Sequence, residues 1–439
     1  MLLAYPRVVA AGGRHTVRLR AEKPLFTGEG YTALFTACEV FKNEQEATQG
    51  EMIAGFEVFH TTNKPRELAV RVESAFACTV QVECPAEQEY ILRIFKSGGG
   101  ALRPVGCACL YAVEGDLQGL LPYKGDLHMH SYCSDGENAP QVMAAACREK
   151  GFDFMALTDH GKFEPSLELR RQFTAMPELA MELYSGEEIH LPWHQAHILN
   201  IGGRTSVNEA FLKDREGFLR QVEALGKSTA APAGVDDYQY LAALWAFDRV
   251  RREGGLSVFC HPYWRRPSGF ELCAAFTEAM LAARPFDALE VVSGYGKADT
   301  DSNLLQLARY FELEPAARPP IVGVSDAHAA FAREVPAGEY LLGAFYTVVL
   351  AKTNGFEDVA EAIRARRSLA VEEQEHEQRH VYGPYRLVKY AQFLARQFFP
   401  EHDALAAREA AAMGRFARGL AAQGEKAAMA ELYAAAFEW

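Results

Sequence analysis

Residues 125–136 read GDLHMHSYCSDG, and the way this stretch is understood decides the fold. His128 and His130 stand two residues apart, so in an extended strand both imidazoles leave from one face. Two imidazoles on one face can hold one metal ion, and Asp135 follows at once in the turn SDGEN. Just beyond, Pro140 opens a helix through APQVMAAACREKG, and Gly151 stops it. The apolar run FMAL comes next and ends at Thr158-Asp159-His160.

The pattern repeats outward from there. LYSGEEIH carries Glu187, Glu188 and His190, and His197 heads the apolar HILNIG. LSVFC ends at His261, and PIVGV runs out just before Asp326 and His328. From about Lys124 to residue 370, short apolar runs alternate with helical stretches such as 206–228 and 237–253, the rhythm of βα units. In βα barrels, catalytic groups gather on the rim where strands end. Each piece alone is weak: an Asp-Gly is usually a turn, and adjacent glutamates are usually a solvated face. Their conjunction predicts a metal site, because so many buried imidazoles and carboxylates are costly unless paired or metal-bound. His190 and His194 lie close enough to His197 in the chain to stand in for it.

The bulk numbers set limits. A chain of 439 residues exceeds one small domain, and 49% hydrophobic with 23% charged residues supplies an ordinary core. The formal net charge of -13 repels a polyanion, so no extended nucleic acid is expected as partner. A small phosphorylated molecule, drawn in by local cations, is. The first twenty residues hold no secretory apolar core, and no apolar run reaches bilayer length, so a cytoplasmic protein with no membrane partner is expected. Nine scattered cysteines read as reduced, mostly buried thiols, with the Cys107/Cys109 pair packed in a core.

Residues 1–120 alternate apolar and polar side chains with period two in HTVRLRAE, ELAVRVES, CTVQVECP and EYILRIF, which predicts a β-rich, sandwich-like domain. Residues 121–370 form the βα unit. Residues 371–439, rich in Ala, Glu and Arg at helical spacing, read as a helical C-terminal appendage. Either flanking segment could cap the site or join two copies, so a homo-oligomer stays open.

GDLHMHSYCSDG, LTDHG, SGEEI, HILNIG, FCHPYW and GVSDAH, in that order over roughly residues 121 to 350, resemble the successive motifs of the PHP (polymerase and histidinol phosphatase) family. The opening motif and the β-rich region ahead of it most resemble the CehA/McbA branch. The resemblance implies an α/β protein with a distorted (β/α)7 barrel and two or three divalent ions (Zn, Mn or Fe) in a trinuclear centre. It implies one metal on His128, His130, Glu188 and Asp326. A second shares Glu188 and adds His197 and His261, and a third takes Asp135, His160 and His328. His128, His130, Glu188, Asp326 and His328 form the catalytic set under this reading. The family's Gly-x-Glu pattern selects Glu188 over Glu187, while Asn200 stands where many members have Gly. Asp126 and Asp159 are expected to accept imidazole N–H groups and so orient the rings. Mixed imidazole and carboxylate ligation does not choose among the metals.

The implied function is a metal-dependent hydrolase. The first expectation is a phosphoesterase cleaving a small phosphorylated metabolite or nucleotide by metal-activated hydroxide. Hydrolysis of a carbamate, amide or ester by the same cluster, as in CehA/McbA-type members, is the alternative. For substrate contacts the sequence offers Arg265 and Arg266, Tyr263 and Trp264 in the same loop, and Lys297 after SGYG. Glu290 ends another apolar strand and could line the pocket.

Overall fold

The computed structural model describes residues 2–39, 65–98, 101–174, 176, 179–266, 268–294, 301–331, 342–373 and 378–419, together with short strand segments between 45 and 63. It divides into two compact units. One comprises Met1–Gly119 with Lys389–Phe398, and the other comprises Leu120–Val388 with the described part of Phe399–Leu432.

In the first unit the period-two pattern becomes an eight-stranded ladder. Its spatial order is Leu2–Tyr5, Gly13–Ala21, Ala77–Cys84, Arg66–Ser74, Tyr31–Ala37, Gln88–Gly98, Ala101–Val113 and Val8–Ala10. Every neighbouring pair is antiparallel except the last. Val17, Leu19, Val80 and Val82 from one part of the ladder and Phe35, Leu92, Ile94 and Leu110 from the other share one core. The sheet therefore curls over on itself. Lys389–Phe398 adds Tyr390 and Phe393, whose rings lie 4.9 and 5.4 Å from that of Tyr111.

The expectation of mostly buried thiols is corrected here. Cys78, Cys84, Cys147 and Cys260 are buried, but Cys38, Cys107 and Cys273 are exposed. Cys107 pairs in register with Arg93 on the outward side of its ladder, where strand alternation puts it.

The second unit is built on a ring of short strands. Leu121–Asp126 pairs with Phe154–Ala156 in parallel, and Gly186–Ile189 pairs with Ile198–Ile201 and that with Leu256–Phe259, both antiparallel. Leu256–Phe259, Ala288–Val292 and Ile321–Gly323 then run parallel. Two single parallel bridges, His160 to Glu188 and Met129 to Ala327, close the circuit. The ring departs from strict βα alternation at one strand, Ile198–Ile201, which runs against the other six. Phe345–Ala351, Ser368–Glu372 and His380–Tyr382 extend the sheet outward beside Leu121–Asp126. The sequence reading starts a helical appendage at residue 371. In the structure that position lies inside Ser368–Glu372, and helices follow only from Tyr385. Two short, partly charged strands carry too little periodic signal to be separated from a helix. Among the described residues, no helix is long and apolar enough to cross a membrane.

The helix Phe399–Ala417 is tied to the ring unit by buried charges. His402 Nε2 lies 2.7 Å from Asp153 Oδ1 and its Nδ1 lies 2.9 Å from Asp403 Oδ1, while Lys124 Nζ approaches Asp403 at 2.7 Å. Burial alone would raise the Asp153 pKa, but the His402 and Arg148 cations outweigh it and hold the carboxyl at about 2. Burial alone would lower His402, and Asp153 outweighs it, so the imidazole is raised. A depressed Asp adds stability that is lost as pH falls through its folded value; a raised His adds stability that is lost as pH rises through its own. The network therefore stabilises the unit most between about pH 4 and the ordinary histidine value of about 6.5. Urea unfolding at about pH 6 and about pH 9 is expected to show a larger stability loss at high pH in wild type than in His402→Gln. Equal losses would remove His402 from the account.

Candidate metal centre

One rim of the ring receives the donors, and strand direction explains how. His128 and His130 follow the strand Leu121–Asp126, His160 follows Phe154–Ala156, His261 follows Leu256–Phe259, and Asp326 and His328 follow Ile321–Gly323. His197 instead precedes its strand, Ile198–Ile201. Because that strand alone runs the other way, its start reaches the rim where the others end.

Glu188 sits at the middle of these groups. Its side chain is fully buried, and imidazole nitrogens surround it: His160 Nδ1 at 2.6 Å and His197 Nδ1 at 2.7 Å, with Nε2 of His190 at 3.4 Å, of His128 and His130 at 3.6 Å, and of His261 at 3.9 Å. Neither Glu188 oxygen makes a hydrogen bond among the described residues. Asp326 Oδ1 lies 3.0 Å from His130 Nε2 and 3.2 Å from His128 Nε2. On the outer side, Asp135 lies 3.3 Å from His160 Nε2 and 3.5 Å from His328 Nε2.

The backbone is bent to achieve this. Asp326 has φ +49° and His261 φ +20°, conformations that non-glycine residues seldom hold unless the surroundings enforce them. Gly136 packs so closely that a Cβ there would stand 2.6 Å from the His130 carbonyl oxygen, which brings the Asp135 turn against the His-x-His segment.

The neighbouring glutamates part company by strand alternation. Glu187 points away from the rim and accepts from Asn200 Nδ2 at 2.9 Å, Ser206 Oγ at 2.6 Å, the Val207 amide at 2.5 Å and Asn208 Nδ2 at 2.9 Å. It anchors the start of the helix Val207–Lys213. Asn200, in the strand that carries His197, thus has a defined role as a donor to Glu187.

The expected orienting roles of Asp126 and Asp159 are corrected. Asp126 accepts the backbone amides of His128 and Ser325 at 3.2 and 3.1 Å, and burial pushes its carboxyl up to about 7. Asp159 accepts from the amide and hydroxyl of Ser131 at 2.7 and 2.8 Å and from the Ser134 hydroxyl at 2.7 Å. Both hold the loops that carry the donors and leave the rings alone. The ring-orienting carboxylate is Glu290, fully buried, whose Oε2 lies 3.0 Å from His128 Nδ1. A carboxylate on Nδ1–H fixes the tautomer that leaves Nε2 a donor to a cation. Cys260 beside it stays a thiol, since burial raises its pKa well above the ordinary value.

Charge distribution agrees with a cation-binding cluster. Burial works against ionised carboxylates, yet the imidazoles outweigh it and hold Glu188, Asp326 and Asp135 below the usual carboxylate range. Asp135 and Glu188 likewise outweigh burial at His160 and push it up to about 10, whereas burial takes His130 down to about 4. Orphaned donors on Glu188, with His128 Nε2 and His130 Nδ1 also buried and without a hydrogen bond, are what divalent ions would satisfy. The residues present fit such ions.

The centre opens into a cavity of about 420 Å³ lined by Asp135, His160, His190, His197, Trp264 and Arg266, among others. Arg266 lies 4.5 Å over the Trp264 ring and 2.7 Å from Glu271. Trp264 stands 5.3 Å from His261 and 5.9 Å from His197, ring to ring. Arg265 turns to Asp301 at 3.0 Å and is absent from the lining, and Tyr263 engages Glu278 instead of the cavity. Lys297 lies outside the described residues. Glu271, which lies just past FCHPYW and outside the motif, also joins the lining.

A rim lined by carboxylates and imidazoles in groups of three or four, as at His128, His130 and Asp326, could hold a metal ion. Residues 126–313 match the model of the PHP domain. Forty residues are 55% identical to DNA polymerase/3'-5' exonuclease PolX of Bacillus subtilis (strain 168), covering 9% of this chain and 7% of that one. Among solved structures, a two-domain protein from Bacteroides vulgatus ATCC 8482, containing a predicted PHP-like metal-dependent phosphoesterase, aligns with 20% identity over 58% of this chain and 66% of its own, at a TM-score of 0.39. An amidohydrolase from Chromobacterium violaceum with bound sulfate aligns with 20% identity over 47% of this chain and 87% of its own, at a TM-score of 0.30. The chain thus spans a small fraction of the polymerase and just under two thirds of the two-domain protein.

Proposed function

We propose that this chain is a metal-dependent phosphoesterase acting on a small phosphorylated molecule. The observation that carries the reading is Glu188, a fully buried carboxylate with two unsatisfied oxygens inside a ring of six imidazoles. The ring of seven strands is read as the distorted (β/α)7 barrel. His128, His130, Glu188, Asp326, His197, His261, Asp135, His160 and His328 would hold two or three divalent ions. Such ions would acidify a water and neutralise charge on the oxygens of a phosphoryl or carbonyl centre.

The chain's own residues do the rest. Glu290 holds the His128 ring so that Nε2 faces the cluster. Trp264 walls the cavity beside His261 and His197 and limits water there. Among the described residues Arg266 is the arginine of the cavity lining, and its guanidinium can exchange Glu271 for a phosphoryl oxygen. A net charge of -13, with Glu271 and Asp135 in the lining, disfavours an extended polyanion as substrate.

The test is a panel of phosphomonoesters, phosphodiesters, aryl carbamates and amides, assayed with Mn2+ or Zn2+ and with a chelator. Chelator-sensitive turnover confined to phosphoesters is expected. Turnover of carbamates or amides alone would transfer the site to the CehA/McbA-type alternative.

A further inference from the structure

Two histidines next to the centre, His190 and His194, are equivalent on spacing, but the structure separates them. His194 is committed to the backbone. Its Nε2 lies 2.7 Å from the Gln239 carbonyl oxygen and its Nδ1 accepts the Ala196 amide at 3.0 Å. His190 is not. It lies two residues beyond Glu188, so strand alternation sends both side chains to the rim while Glu187 and Ile189 face away. Its Nε2 is 2.6 Å from His160 Nδ1 and 3.4 Å from Glu188 Oε2, and its ring centroid is 4.4 Å from those of both His160 and His197.

Position and aim are both enforced. The His190 amide donates to Asn208 Oδ1 at 3.0 Å, and Asn208 Nδ2 donates to the Glu188 carbonyl at 3.0 Å and to Glu187 Oε2 at 2.9 Å. One buried amide thus pins the strand on either side of Ile189. The His190 side chain is 38% exposed and lines the cavity, so it faces the centre from the substrate side. His160 stands between two donor groups, with Nε2 toward Asp135 and Nδ1 toward Glu188 and His190.

We propose that His190 is a direct metal donor, adding a tenth ligand to the centre where Glu188 Oε2 and His160 Nδ1 converge with its Nε2. The inference rests on the metal-centre reading above but reaches past it, because none of the motifs that suggest that reading includes position 190. Its consequence is a centre with an extra nitrogen on the open side, which favours ions that accept imidazole over hard, oxygen-seeking ones.

The experiment is a Zn2+ titration of the full-length chain, stripped of metal, in competition with a chromophoric chelator, with zinc equivalents counted by elemental analysis. Wild type, His190→Ala and His190→Gln are compared, and circular dichroism checks that each is folded. Gln can keep a hydrogen bond to His160 but is a poor zinc ligand. Both variants are expected to lose one zinc equivalent, or to bind it at least about tenfold more weakly. Wild-type stoichiometry and affinity in His190→Ala would overturn the proposal. So would recovery in His190→Gln, which would make His190 a hydrogen-bonding partner of His160; this variant also decides the matter if the Ala variant does not fold. Wild type that takes up no Zn2+ at all would sink the metal-centre reading itself, a separate outcome from the failure of His190 alone.

Discussion

Glu188→Gln is expected to lose metal binding and to drop hydrolytic activity by about a thousandfold or more, while the protein stays folded. The change swaps one carboxylate oxygen for an amide of the same shape, so packing is preserved in a site with no room to spare. What goes is the negative charge on which six imidazoles converge. Stabilisation of several kcal/mol from bound cations corresponds to about three powers of ten in rate. Glu187→Gln provides the contrast. Its carboxylate accepts from four groups and touches no imidazole among the described residues, so the loss there falls on folding stability with metal content intact. Elemental analysis and urea unfolding on both variants read the difference. Full zinc content in Glu188→Gln would refute the placement of the centre.

The second large effect lies away from the site. Arg148 is fully buried and donates to Glu409 through Nε, to the Phe152 carbonyl at 2.9 Å and to Asp153 Oδ1 at 3.0 Å through Nη1. Glu409 also accepts the Ala180 amide at 2.6 Å. Cutting Arg148 to Ala leaves two buried carboxylates without their shared cation, and breaking a buried pair this way costs about 3–5 kcal/mol. Chemical denaturation of Arg148→Ala is expected to show a loss of that order. A loss below about 1 kcal/mol would mean that water replaces the guanidinium, and the network would then hold little of the stability assigned to it.

Much of the site was legible beforehand because its logic is local. His128 and His130 share a face as a consequence of strand period, and a run that ends at His160, His261 or Asp326 marks its own terminus. Strand alternation also separates Glu187 from Glu188, although the sequence alone needed a motif to say which of the two faces inward. Other features could not be read. Glu290 is 162 residues from His128, and nothing near either residue announces the pair. Asp126 and Asp159 looked like partners for rings, yet each reaches backbone and hydroxyl donors instead, because the loops wrap around them. Cys107 was expected inside and lies outside, since a two-residue spacing reveals a shared face without saying which face is wet.

The division has one physical cause. Side-chain direction along a strand, helix starts at proline and glycine stops depend on a few neighbouring residues, so the sequence alone determined the βα rhythm, the strand ends and the kinds of donor available. Which of two nearby histidines is bound to backbone, which carboxylate meets a ring, and which arginine is sealed among acids depend on segments 45, 162 and 261 residues apart being packed together. Only the tertiary structure decided those, because a buried charge takes whatever partner the packing brings within reach.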